Sequence, residues 1–200
     1  MNTLKLSTIL GLVVFTEIGR TDSLDSWALR YPLPTANGLH GIVYGNSQFV
    51  AVGAGGVILT SADGVNWVLG QSPTVSALSG IAYGTSQFVA VGDTGTIVSS
   101  TDGANWVQRV SGTSIALLAV AYGDGQFVAV GDTGTIVTSA DGVNWVQHPS
   151  GATALYGIAY GNGLFVAVGG RYNNATMQNE STILTSTAPT RAGAWAPERP

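Results

Sequence analysis

Apolar residues in this chain fall in short runs, each ended by glycine beside Asn, Asp, Ser or Thr. Ile42-Val43-Tyr44 is followed by a turn at Asn46-Ser47, then by Phe49-Val50-Ala51-Val52, then by a second turn and Val57-Ile58-Leu59. Runs of this length, rich in β-branched and aromatic residues and bounded by turn formers, predict β-strands. The Phe-Val-Ala-Val run does not alternate apolar with polar, so it predicts a strand covered on both faces.

The pattern then repeats. Trp67, Trp106 and Trp145 are 39 residues apart, and everything between them recurs. Four units begin near Leu39, Leu78, Leu117 and Leu155. Each reads as an apolar strand, a turn, a Phe-Val-Ala-Val-Gly strand, a tight turn, a third strand, and a short fourth strand at the tryptophan. The two-residue turns are Asn46-Ser47, Thr85-Ser86, Asp124-Gly125 and Asn162-Gly163. Four antiparallel strands in a period near about 40 residues predict propeller blades packed face to face. The expected fold is therefore all-β: a propeller-like array of four four-stranded antiparallel blades, an open arc or part of a larger propeller. The blades are expected at 39–77, 78–116, 117–154 and 155–200.

Both ends depart from the rule. The fourth unit inserts 170–180 (GRYNNATMQNE) and lacks Asp and Gly before Trp195. Residues 21–38 carry Trp27 at the spacing of an outer strand without the other three. That surplus predicts a larger ring and self-association through exposed end blades. In residues 1–20, Leu6–Phe15 is an apolar run of signal-peptide length, too short to span a bilayer as a helix. The rival reading is a worn strand, because Ser7-Thr8-Ile9-Leu10 reappears as Ser181-Thr182-Ile183-Leu184. No membrane span is expected.

Composition narrows the partners. Only 9% of residues are charged against 45% hydrophobic, and the net charge is −4. No Lys/Arg cluster exists, so a nucleic-acid partner is not expected. There is no cysteine, which removes disulfides and thiolate metal sites. His40 and His148 are too few and too far apart to predict a metal. No cofactor is expected.

Between the third and fourth strands lies a seven-residue box: Ser61-Ala62-Asp63-Gly64-Val65-Asn66-Trp67, Ser100 to Trp106, and Ser139 to Trp145. Its chemistry is that of a turn. Asp63, Asp102 and Asp141 accept backbone N–H groups ahead of them. Gly64, Gly103 and Gly142 take positive φ. Ser61, Ser100 and Ser139 tie the start of the turn to its end, and Trp67, Trp106 and Trp145 pack into the seam between sheets. These boxes, within the full repeat, resemble the Asp-box or BNR-repeat family of β-propellers in large exported bacterial proteins. The resemblance covers residues 27–195. It implies a structural box placed away from the ligand face, and an extracellular, periplasmic or cell-surface location. Members of that family include sialidases, other glycosidases, sorting receptors and photosystem II assembly factors.

Catalytic constellations are thin. Asp93-Thr94-Gly95 and Asp132-Thr133-Gly134 spell the aspartic-protease triplet, but both fall where the first unit has Ala54-Gly55-Gly56, a hairpin position. The three glutamates, Glu17, Glu180 and Glu198, lie near the termini or in the insertion. They offer no carboxylate pair across a cleft. A binding module without catalysis is the expectation, with a protein or carbohydrate ligand. The alternatives are a glycosidase or an assembly factor. Candidate binding residues are Asp93, Asp132, Arg109 and His148, expected on loops of one face, with Arg171, Tyr172 and Asn173 of the insertion.

Overall fold

The computed structural model describes residues 34–186, with Ala28 and Leu29 and the short strands Thr8–Ile9, Leu12–Val13 and Trp195–Ala196. Those three short strands, and Tyr172 and Asn173, are described by backbone alone. The chain divides into two compact units, Met1–Pro32 and Leu33–Pro200. In the first, β1 (Thr8–Ile9) pairs antiparallel with β2 (Leu12–Val13). Trp27 lies outside the described residues.

The second unit holds four four-stranded antiparallel sheets, each a meander in sequence order. The first is β3 (Leu39–Gly45), β4 (Gln48–Gly53), β5 (Ile58–Ser61) and β6 (Val68–Leu69). The second is β7 (Leu78–Gly84), β8 (Gln87–Gly92), β9 (Ile97–Ser100) and β10 (Val107–Arg109). The third is β11 (Leu117–Gly123), β12 (Gln126–Gly131), β13 (Ile136–Ser139) and β14 (Val146–His148). The fourth is β15 (Ala154–Gly161), β16 (Leu164–Asn173), β17 (Gln178–Ser186) and β18 (Trp195–Ala196). Register repeats from sheet to sheet: Tyr44 pairs Phe49, Tyr83 pairs Phe88, Tyr122 pairs Phe127, and Tyr160 pairs Phe165. The two-residue turns have positive φ even where the residues are Asn46, Ser47, Thr85 and Ser86, the geometry that matches strand twist in a tight hairpin.

The Phe-Val-Ala-Val strands are covered on both faces, as their apolar runs predict, wherever a sheet has neighbours on both sides. In the second sheet Phe88 and Ala90 face the first sheet's Val50, Val52 and Ile58. Val89, Val91 and Ile97 face the third sheet's Leu117, Phe127, Ala129 and Val137. Val128, Val130 and Ile136 face Leu155, Phe165, Ala167 and Leu184 of the fourth. Burying one such phenylalanine is worth about 1.5–3 kcal/mol, so each seam stabilises two sheets at once. The first strands β3, β7, β11 and β15 pack side by side along one edge of the stack.

A second device sets the spacing of that edge. Tyr83 lies flat against Gly45, Tyr122 against Gly84, and Tyr160 against Gly123; a Cβ on those glycines would stand 2.1–2.2 Å from the tyrosine ring. The recurring Tyr-Gly pair is thus one tyrosine that packs backward and one glycine that receives the next sheet's tyrosine.

Among the described residues, no sheet packs on the outer face of the first sheet or of the fourth. Ile42 and Tyr44 on the free face of the first sheet are 60% and 58% exposed, and Val168 and Ile183 on the free face of the fourth are 47% and 69% exposed. Among the described residues, no helix is long and apolar enough to cross a membrane.

The insertion is the main departure from expectation. Residues 170–180 do not form a loop beside the blade. They lengthen β16 and β17 into a hairpin, with Arg171 opposite Glu180, Tyr172 opposite Asn179 and Asn173 opposite Gln178. Strands already in register continue pairing past the edge of the sheet, because an extra ladder satisfies backbone groups that a loop would leave to water.

Candidate functional site

The meander divides the turns between two ends of each blade. One end carries the two-residue turns and the Ser-x-Asp-Gly-x-Asn-Trp boxes. The other carries the turns between second and third strands and the segments joining blades.

At the first end, each box closes on itself. Asp102 Oδ1 accepts Ala104 N at 2.9 Å, Asn105 N at 2.8 Å and the Ser100 hydroxyl at 2.9 Å. Its Oδ2 accepts Asn105 Nδ2 at 2.7 Å, while Gly103 N donates to Ser100 Oγ at 2.8 Å. Asp63 and Asp141 repeat the arrangement. The backbone N–H groups of Asn66, Asn105 and Asn144 lead the causes that hold these three carboxyls far below the usual carboxylate range. Such acids stay ionised and are committed to their own turn. Trp106 Nε1 donates to Gly103 O at 2.9 Å, and its ring is buried in the seam between the first two sheets. Trp145 packs against the next seam, but its buried Nε1 has no hydrogen-bond partner among the described residues.

Two residue types at this end were not singled out from sequence. Asn66, Asn105 and Asn144 hold the second carboxylate oxygen. Gln48 and Gln87 join neighbouring blades: Gln48 Nε2 donates to Asp102 O at 2.7 Å, and Gln87 Nε2 to Gly142 O at 3.4 Å. A Cβ at Gly103 would lie 2.6 Å from Gln48 Nε2, so the box glycine serves both its φ of 76° and the approaching amide. The signal was present: Asn recurs in all three boxes, and Gln precedes Phe in the first three units but is Leu164 in the last.

At the opposite end, Ala54–Gly56, Asp93–Gly95 and Asp132–Gly134 form single turns of 3-10 helix. Each is tied to the segment before its own sheet: Ala54 N donates to Gly38 O, Asp93 N to Ala77 O and Asp132 N to Ala116 O, at 2.8, 3.0 and 3.0 Å. Asp93 is exposed and Asp132 half-buried. Thr94 and Thr133 sit beside them in left-handed conformation, φ 55° and 54°, and both are exposed. Backbone geometry of the hairpin accounts for the Asp-Thr-Gly triplets.

Arg109 and His148 are not on loops. They are the last residues of β10 and β14, opposite Ile97 and Ile136. Arg109 Nε donates to Ser99 Oγ at 2.8 Å, and His148 Nε2 lies 2.8 Å from Thr138 Oγ1. Burial pushes the His148 imidazole below its ordinary range. Both side chains are engaged with their own sheets, because the outer strand runs on until its partner strand ends. Arg171 lies on the lengthened hairpin, its Nε 2.7 Å from Glu180 Oε2. It lines an open cavity of about 470 Å³ with Tyr156, Asn179 and Ser181. Arg109 lines a separate one of about 420 Å³ with Trp145 and Asn144. Arg109 and Arg171 therefore line different cavities.

Four four-stranded antiparallel sheets in series, with turns divided between two ends, define a β-propeller fold. No protein-family model and no curated protein matches the chain. Among solved structures it is similar to YCF48 from Cyanidioschyzon merolae, with 18% identity and TM-score 0.59 over 84% of this chain and 59% of that one. It is similar to YCF48 bound to D1 peptide, with 17% identity and TM-score 0.60 over 82% of this chain and 54% of that one. The chain thus spans somewhat over half the length of these relatives. A glycoside hydrolase of the GH130 family aligns at 13% identity and TM-score 0.45 over 75% of this chain and 66% of that one, a likeness too distant to bear on chemistry.

Proposed function

We propose that this chain is a non-catalytic protein-binding scaffold of Asp-box lineage, acting outside the cytoplasm and taking its ligand at the end of the blades that carries Asp93 and Asp132. The observation that carries this reading is the division between the two blade ends. The box acids are saturated by their own turns, whereas Asp93, Thr94 and Thr133 are exposed on rigid turns. Binding groups held on turns of a stiff sheet stack need little ordering on contact. Two acids in equivalent turns of adjacent blades suit an extended polypeptide bearing cationic or amide groups. The peptide in the YCF48 complex supports a peptide over a sugar as the ligand class.

The test is titration of the chain with that D1 peptide and, in parallel, with chromogenic glycosides. Saturable peptide binding, weakened several-fold in Asp93→Asn/Asp132→Asn and absent with glycosides, is expected. Glycoside turnover, or peptide binding indifferent to both substitutions, would overturn the reading. Export through Leu6–Phe15 is part of the proposal. The mass of secreted protein checks it, because retention of Met1 would remove the cleaved-leader reading.

A further inference from the structure

We propose that the free face of the fourth sheet docks on the free face of the first sheet of a second copy of this chain, repeating the seam already made three times inside it. The internal seams show what covers each face. Val50, Val52 and Ile58 of the first sheet meet Leu78, Ile81 and Phe88 of the second. At the same repeat positions, the fourth sheet presents Val166, Val168 and Ile183 to solvent, at 36%, 47% and 69% exposure, where their internal counterparts are at 0%. The first sheet presents Leu39 and Ile42 at 47% and 60%, where Leu78 and Ile81 are at 0% and 9%. Each end therefore carries one half of a seam whose other half is on the opposite end.

The tyrosine seat gives the match its polarity. Gly45, Gly84 and Gly123 are each filled by the next sheet's tyrosine, while Gly161 has nothing within 4 Å among the described residues. Tyr44, at the position of those three tyrosines, is 58% exposed. An empty seat on the fourth sheet and an unseated tyrosine on the first specify a head-to-tail contact of unlike faces. Such a heterologous contact extends by addition of further copies unless its rotation closes a ring. The seam lacks one internal feature: Leu164 stands where Gln48 and Gln87 bridge to the next sheet. It is therefore weaker than the two internal seams that carry the bridge, and it depends on concentration.

Sedimentation velocity of the 200-residue chain over a concentration series tests this. Tyr44→Asp spoils the head. Gly161→Val spoils the tail in a position open in the free chain, and Ile183→Asp is a second tail variant at an exposed site. Circular dichroism confirms the fold of each. Wild type should gain mass with concentration, and each variant alone should stay monomeric. An equimolar mixture of a head and a tail variant should form a one-to-one dimer and stop there, because it retains one intact head and one intact tail. A wild type that stays monomeric at every concentration would overturn the proposal. So would association retained by folded single variants, or a mixture that forms no dimer.

Discussion

Replacing the same glycine by alanine should destabilise the fold in one repeat and not in another. In Gly84→Ala the new Cβ would stand 2.1 Å from Cγ of Tyr122 and 2.3 Å from both Cδ atoms. Relaxed carbon contacts lie near about 3.5–4.0 Å, so the ring must retreat by more than an ångström. It cannot swing away, since the clash is at the root of the ring and the ring is held against Phe127 with centroids 4.8 Å apart. Overpacking of this kind costs about 1–3 kcal/mol. The gain from replacing a strand glycine, about 0.5–1 kcal/mol, offsets only part of it. At Gly161 the same methyl meets nothing within 4 Å among the described residues, leaving the gain of about 0.5–1 kcal/mol. Neither glycine has positive φ, so backbone strain does not enter. Urea unfolding followed by tryptophan fluorescence and circular dichroism, at dilution that keeps copies apart, should give a lower midpoint for Gly84→Ala and an equal or higher one for Gly161→Ala. Equal shifts in one direction would refute the tyrosine seat as the reason these glycines recur.

Acid should weaken the fold through the boxes: Asp63, Asp102 and Asp141 have depressed pKa values in the folded chain. Their contribution is full above the unfolded carboxylate pKa of about 3.9 and is lost as pH falls below it. Melting temperature against pH should therefore drop more steeply below about pH 4 in wild type than in Asp102→Asn, and parallel curves would count against this. Gln87→Ala leaves Gly142 O without its bridging amide and should cost about 1–2 kcal/mol, read as a lower urea midpoint; an unchanged midpoint would show that the bridge carries no weight. Thr85→Asn/Ser86→Gly places turn formers where φ is 46° and 58° and should raise stability by about 1–2 kcal/mol, relieving left-handed strain. A lower melting temperature would contradict that geometry.

The strands and boxes were legible because each is set by a few neighbouring residues. Phe-Val-Ala-Val-Gly implies a covered strand, and Ser-x-Asp-Gly implies a turn that satisfies itself. Contacts between repeats were less legible. That Tyr122 lies on Gly84, or that Gln48 reaches Asp102 O, depends on how two sheets are rotated against one another, which no single repeat encodes. In sequence, Arg109 and His148 read as parts of the loops that follow the short fourth strands. Their pairing follows instead from how far β9 and β13 extend. The polar residues of 170–180 read as a loop for a similar reason: composition does not reveal a ladder inherited from the strands on either side.

Panning a random peptide library against the chain, then measuring each recovered peptide on two variants, tests the assignment of the binding end most directly. Peptides should lose affinity for Asp93→Asn/Asp132→Asn and keep it for Asp102→Asn, whose change lies at the opposite end of the blade. Peptides that ignore the Asp93 and Asp132 turns and lose affinity for a folded Asp102→Asn would contradict it, placing the binding surface on the boxes.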